Sequence, residues 1–127
     1  MLLEEGEPRG ESTSSPRWQL SEVALPTGCG TGKGVAVGDI DLDGRRDIVF
    51  SCESATGDKS GVRWLGPDKG TDAFSSHEIS GPLGVKFDRV ELFDADADGD
   101  LDVLTCEERV NLGVIWYENP TKSLRCK

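Results

Sequence analysis

The chain has 127 residues, enough for one small domain with a modest core. Its net charge of −10 argues against nucleic acid or an anionic membrane as partner. No apolar run approaches the roughly 18 residues of a membrane span, so no membrane insertion is expected.

Residues 1–16 mix Glu, Gly, Ser and Pro with almost nothing to bury, and are expected to be disordered. Glu4, Glu5 and Glu7 stand where a signal peptide needs a basic start and an apolar run, so none is expected in this chain. Trp18–Leu25 reads as a strand. Gly30, Gly32 and Gly34 superficially suggest a phosphate cradle, but no Lys-Ser/Thr and no helix follow, so they read as a flexible turn. Short apolar stretches rich in Val, Ile, Phe and Trp then predict strands at 34–40, 47–54, 61–65 and 75–80. A second set is predicted at 85–93, 102–108 and 112–118, ahead of a tail at 121–127.

These elements repeat. Asp39-Ile40-Asp41-Leu42-Asp43-Gly44-Arg45-Arg46-Asp47 recurs 55 residues later as Asp94-Ala95-Asp96-Ala97-Asp98-Gly99-Asp100-Leu101-Asp102. Each copy leads into an apolar run ending in Cys-Glu, Cys52-Glu53 and Cys106-Glu107, the second copy being one residue shorter. Gly61-Val62-Arg63-Trp64 then matches Gly113-Val114-Ile115-Trp116, and Trp18 to Val23 matches Phe74 to Ile79 at a shift of 56. A repeat of about 50 residues holding four short strands has the size of one propeller blade. The expected fold is all-β: a partial β-propeller of about two blades of four short antiparallel strands each. Repeat one covers 34–80 and repeat two 85–120, and Trp18–Leu25 is a spare strand that completes a blade. Two blades cannot close a ring, so the expectation is either a homo-oligomer or remaining propeller blades elsewhere.

The two acidic clusters hold nine of the 24 acidic residues, and the rest of the chain is nearly neutral. Carboxylates packed this tightly repel one another unless a cation joins them. D-x-D-x-D-G-x-x-D places side-chain oxygens at positions 1, 3, 5 and 9, and the glycine at position 6 permits a sharp bend. Position 7, Arg45 or Asp100, is expected to give a backbone carbonyl and to leave its side chain free. Hard oxygen ligands in this number suit calcium better than zinc or copper, so two calcium ions are expected. An EF-hand shares the first nine positions but needs a bidentate Glu at position 12 and a helix after it. Here that position is Phe50 or Thr105, each within a strand-forming run.

Gly38 to Gly44 with Asp47-Ile48-Val49, Gly113 to Pro120, and a Trp/Phe-x-x-His/Ser-x-Ile strand together resemble FG-GAP or VCBS-type repeats over residues 17–120. The resemblance implies calcium-binding propeller blades of the kind found in integrin α-chains and bacterial secreted proteins. It implies ligands at Asp39, Asp41, Asp43 and Asp47 and at Asp94, Asp96, Asp98 and Asp102, with carbonyls at Arg45 and Asp100. It further implies an extracellular, cell-surface or periplasmic module that binds a protein or carbohydrate ligand. The alternative is a piece of a propeller enzyme such as a polysaccharide lyase or a sugar dehydratase.

No residue set argues for catalysis by itself. His77 is the only histidine, has no nucleophile motif to serve, and reads as structural and superficial. Glu107 and Glu108 are neighbours on a strand and face opposite sides, a poor acid–base pair. Trp18, Trp64 and Trp116 occupy matching strand segments, where core packing or a sugar-stacking platform are the two readings. Cys29, Cys52, Cys106 and Cys126 show no C-x-x-C spacing and allow three disulfide connectivities; at Cys52 and Cys106 buried free thiols are expected.

Overall fold

The computed structural model describes residues 15–123. The expected disordered segment at 1–16 and the tail with Cys126 therefore fall largely outside the described residues. The chain is all-β. Strands β1 (Thr31–Gly38), β2 (Asp47–Glu53), β3 (Val62–Pro67) and β4 (Phe74–Glu78) form one antiparallel sheet in the order β1-β2-β3-β4. Strands β5 (Glu91–Phe93), β6 (Asp102–Glu107) and β7 (Gly113–Tyr117) form a second in the order β5-β6-β7. One helical turn, α1 (Pro120–Ser123), follows. The two meanders have the blade-like form that the repeat predicts, and they do not close a ring. Among the described residues the second sheet has three strands rather than four.

Alternation decides which face of each sheet is buried. In the first sheet Ala36, Val49 and Trp64 are cross-strand partners and share one face. That face packs on the second sheet through a core of Ile40, Val49, Val62, Phe87, Val90 and Val103. Fully burying side chains such as Val49 and Phe87 stabilises the fold by about 1.5–3 kcal/mol each. On the opposite face of the first sheet, Phe50, Cys52 and Leu65 make a second, smaller cluster.

Residues 85–90, expected as part of one long strand at 85–93, instead stitch the sheets together. Phe87 N donates to Cys52 O of the first sheet at 3.0 Å, while Asp88 N donates to Cys106 O of the second at 3.1 Å. The carbonyls of Asp88 and Arg89 accept from the hydroxyls of Ser51 and Thr105. A backbone that spends its hydrogen bonds on two sheets cannot continue either ladder, so β5 shrinks to three residues.

Residues 18–25 form no strand, a correction to the expectation. Trp18 and Leu20 stand exposed, and among the described residues no ladder partner reaches them. Gly32 and Gly34 are not turn residues either; they lie in β1, across a register shift. A Cβ on Gly34 would come within 3.1 Å of Asp88 O, and one on Gly30 would overlap Glu53 O, so close backbone approach explains these glycines. Of the tryptophans only Trp64 packs against the core. Cys52 is buried as expected, whereas Cys106 is exposed because its position in β6 faces away from the first sheet. The Cys52 thiol shares a hydrogen bond with Cys29, and burial pushes it up to about 11.

Candidate metal centre

The loop Asp39–Asp47 joins β1 to β2 and the loop Asp94–Asp102 joins β5 to β6, and the two are built alike. At position 4, Leu42 and Ala97 both take left-handed backbone, with φ of 62° and 60°. At position 6, Gly44 and Gly99 take φ of 88° and 101°, where glycine carries no steric cost. The position 1 carboxylate accepts from two backbone N–H groups in each loop: Asp39 from Asp43 at 3.1 Å and Gly44 at 2.9 Å, Asp94 from Asp98 at 3.0 Å and Gly99 at 2.8 Å. Position 5 accepts from position 7, Asp43 from Arg45 N and Asp98 from Asp100 N. Position 9 accepts from position 2, Asp47 from Ile40 N at 2.7 Å and Asp102 from Ala95 N at 3.0 Å. Short-range side chain to backbone bonds of this kind fix the turn without any helix. Position 12 confirms the distinction from an EF-hand: Phe50 is a core residue of β2, and Thr105 of β6 donates its hydroxyl to Arg89 O at 2.8 Å.

In the second loop Asp94, Asp96, Asp100 and Asp102 each offer an oxygen within 4.8 Å of the others. Asp102 and Asp100 are buried, at 0% and 1% exposure. Asp100 departs from the expectation of a free side chain at position 7. Its Oδ2 accepts from Lys122 N of α1 at 2.8 Å, which draws the carboxylate inward, and its Oδ1 is buried without a partner. The helical turn that supplies Lys122 N begins at Pro120 and is capped by Asn119, whose Oδ1 accepts from Thr121 N at 3.0 Å. Asp98 falls outside the group of four; it gathers with Asp96 and Glu118, and its Oδ2 is also buried and unpartnered. Burial pushes Asp100 up to about 6, and the neighbouring Asp98 and Asp102 charges add to the rise. Desolvation also lifts Asp96 to about 6, helped by hydrogen bonds shared with Glu118 and Asp98. Burial works to raise Asp98 too, but its hydrogen bonds with Asp100 outweigh this and hold it below the usual carboxylate range.

The first loop is more open. Asp39, Asp41 and Asp43 converge, while Asp47 stands apart from them, fully buried with Oδ1 unpartnered. Arg45 at position 7 turns back on Asp43 with an ion pair of 3.2 Å. Desolvation raises Asp41 above the usual carboxylate range, with Asp43 next in effect. Backbone hydrogen bonding from Arg45 lowers Asp43.

The sequence alone does not single out Glu118 and Asn119 as site residues. Asn119 N donates to Asp102 Oδ1 at 2.8 Å, and its side-chain amide donates to Leu101 O and Ile40 O, both at 2.8 Å. Nothing local marks this role, because it depends on where β7 ends relative to both loops. Glu107 and Glu108 do separate as their strand positions require. Glu108 pairs with Lys86 at 3.1 Å on the surface. Glu107 is buried and accepts backbone N–H groups from Val85, Lys86, Arg109, Val110 and Leu112. Those donors outweigh the cost of its burial and hold its carboxyl down at about 2. His77 is exposed and stacks on Trp64 with ring centroids 4.1 Å apart, as a structural surface residue would.

No protein family, curated protein or solved structure that was compared matches this chain.

Proposed function

We propose that the protein is a calcium-binding repeat module of FG-GAP/VCBS type, holding one ion in each acidic loop and serving as a binding or scaffolding element outside the cell. The observation that carries the reading is Asp100: a carboxylate 1% exposed, with an unpartnered oxygen, among four carboxylates whose oxygens lie within 4.8 Å of one another. Buried charge of one sign is costly unless a cation compensates it. Calcium takes six to eight oxygens at about 2.3–2.6 Å, so its ligands sit up to about 5 Å apart, and the group of four fits that span. Asp94, Asp96, Asp100 and Asp102 would hold the ion in the second loop, with Asp98 and Glu118 beside them. Asp39, Asp41 and Asp43 would hold it in the first, and the resemblance adds Asp47, which stands apart from them in this structure. The ion supplies charge compensation and cross-links each hairpin; no chemical step is assigned to it.

The extracellular placement and the ligand class, protein or glycan, follow from the resemblance to secreted repeat proteins. A cavity of about 490 Å³ between the sheets, bordered by Trp64, Tyr117, Glu78 and Glu118, supports the glycan side of that reading. Aromatic faces with a few carboxylates are suited to sugar rings and hydroxyls.

Calorimetric titration of chelator-stripped protein with calcium tests the metal reading. Two equivalents are expected, with dissociation constants on the order of 10⁻⁴ to 10⁻³ M, as for extracellular sites. Each site adds about 2.7 kcal/mol at a hundredfold excess over its dissociation constant. A melting curve indifferent to excess calcium would rule the reading out.

A further inference from the structure

The repeat makes a statement about faces as well as loops. On the face that the first sheet turns toward the second, Val62 is 0% exposed, Val49 is 0% exposed and Trp64 packs against the shared core. Their counterparts in the second repeat are Val114, Leu104 and Trp116. Leu104 and Trp116 are cross-strand partners on the far side of the second sheet, pointing away from the first. Val114 is 80% exposed and Trp116 50%. The second sheet thus shows to solvent the residues that the first sheet buries.

The reverse holds at the other end. On the inner face of the second sheet, Val90 is 3% exposed, and Leu92, Val103 and Tyr117 complete the joint. Fifty-five residues earlier stand Val35, Val37 and Ile48, with Leu65 as the counterpart of Tyr117. They lie on the outer face of the first sheet, where Val35 and Val37 are 66% and 57% exposed. Val23, the counterpart of Ile79, already lies on that same face. With Val35, Ile48, Phe50 and Leu65 it borders an open apolar groove of about 410 Å³.

We infer that the exposed face of the second sheet docks on the exposed face of the first sheet of a second copy of this chain, head to tail, continuing the joint that already exists within the chain. The two surfaces are different, so the contact is heterologous, and copies join without using any face twice. A second feature fits the same joint independently. Residues 18–23 match Phe74 to Ile79, and among the described residues they pair with nothing and no strand lies beyond β7 at the edge of its three-stranded sheet. In the first sheet Trp64 faces His77 and Arg63 faces Glu78 across β3 and β4. Transferred to the joint, Ser21 of the incoming copy falls opposite Trp116, and Glu22 opposite Ile115. The docked copy thereby gives the second sheet its fourth strand and covers an open edge. The joint is not a strict copy. The second sheet carries Phe93 where the first has Gly38, whose neighbours across the existing joint are Leu92 and Leu101; their counterparts are Val37 and Arg46. The inference concerns apolar faces and stands whether or not the acidic loops take calcium.

Light scattering coupled to size exclusion, on the full chain with calcium and with chelator, tests it together with two variants. Val35→Glu and Val114→Glu alter strongly exposed side chains, and unfolding curves show whether each variant is folded. The parent chain is expected at twice 13.7 kDa or more. Each variant alone is expected as a monomer, because every joint needs one surface of each kind. Mixing the two variants is expected to restore a dimer, since Val35→Glu keeps an intact second sheet and Val114→Glu an intact first sheet. A monomeric parent chain overturns the inference, as do folded variants whose mass does not change. Variants that are monomeric alone and stay so when mixed overturn the head-to-tail pairing.

Discussion

The side-chain amide of Asn119 donates a 2.8 Å hydrogen bond to the carbonyl of Ile40, 79 residues earlier in the chain. Ile40 is the second residue of one acidic loop, and Leu101, which accepts from the same amide, is the eighth residue of the other. Asn119 is 7% exposed, so the latch lies out of water, where hydrogen bonds are costly to lose.

Replacing Asn119 with Ala should therefore lower stability by about 2 kcal/mol or more, since two buried carbonyls lose a donor. It should also weaken calcium binding at both loops together. Asp98→Ala, by contrast, should affect its own loop alone. Denaturant unfolding and calorimetry on the two variants, each with and without calcium, would separate the behaviours. A variant of Asn119 that binds calcium like the parent chain at both loops would show that the latch does not couple them.

Position 7 should behave differently in the two loops. Asp100→Ala removes a buried carboxylate of the group of four and should reduce calcium affinity at the second loop by tenfold or more, about 1.4 kcal/mol. Arg45→Ala removes a half-buried cation paired with Asp43, so affinity at the first loop should stay level or rise slightly. Phe50→Ala should cost about 3–5 kcal/mol of stability through the cavity it leaves, without removing a calcium equivalent from protein that stays folded. Titration of each folded variant reads all three.

Glu107 gives the chain a specific acid sensitivity. Its carboxyl is held at about 2 in the fold against an ordinary 4.5, so the folded state favours the ionised form. The stability it contributes is complete above about pH 4.5 and is lost as pH falls from there through about 2. Glu107→Gln should flatten the pH dependence of unfolding across that window. It should also lower stability at neutral pH by about 2 kcal/mol or more, because an amide cannot accept from all five N–H groups. Urea midpoints measured between pH 2 and 7 for both proteins provide the check.

Most of the architecture is legible in the residues because its signals are local. Val, Ile and Phe in short runs after Asp47 and Asp102 predict β2 and β6, and the glycine at position 6 predicts the left-handed turn found at Gly44 and Gly99. Three features are not local, and the sequence alone misreads them. Trp18–Leu25 has the composition of a strand, but a strand also needs an edge to pair with, and among the described residues no edge reaches it. Residues 85–90 look like one long strand, yet their carbonyls serve Ser51 and Thr105 on two different sheets. Asp100 looks like a free side chain because position 7 is expected to act through its carbonyl; the helical turn that captures it lies 22 residues away. Even Cys106, which shares its Cys-Glu context with Cys52, differs: both thiols lie on outer faces, but Phe50, Leu65 and Cys29 pack around Cys52 while Cys106 is exposed.

Every candidate ligand of the first loop comes from nine consecutive residues, whereas the Asn119 latch spans most of the chain. Closing a short loop costs little chain entropy, and closing a long one costs more and must wait for both ends to be in place. The order of assembly is written into that contrast: each hairpin can organise its acidic turn while the rest of the polypeptide is still unstructured. The latch is expected to close last, when β7 has reached its sheet. Refolding followed at the acidic turns should thus run ahead of refolding followed at Asn119, and the interval between them measures how long the two halves take to find each other.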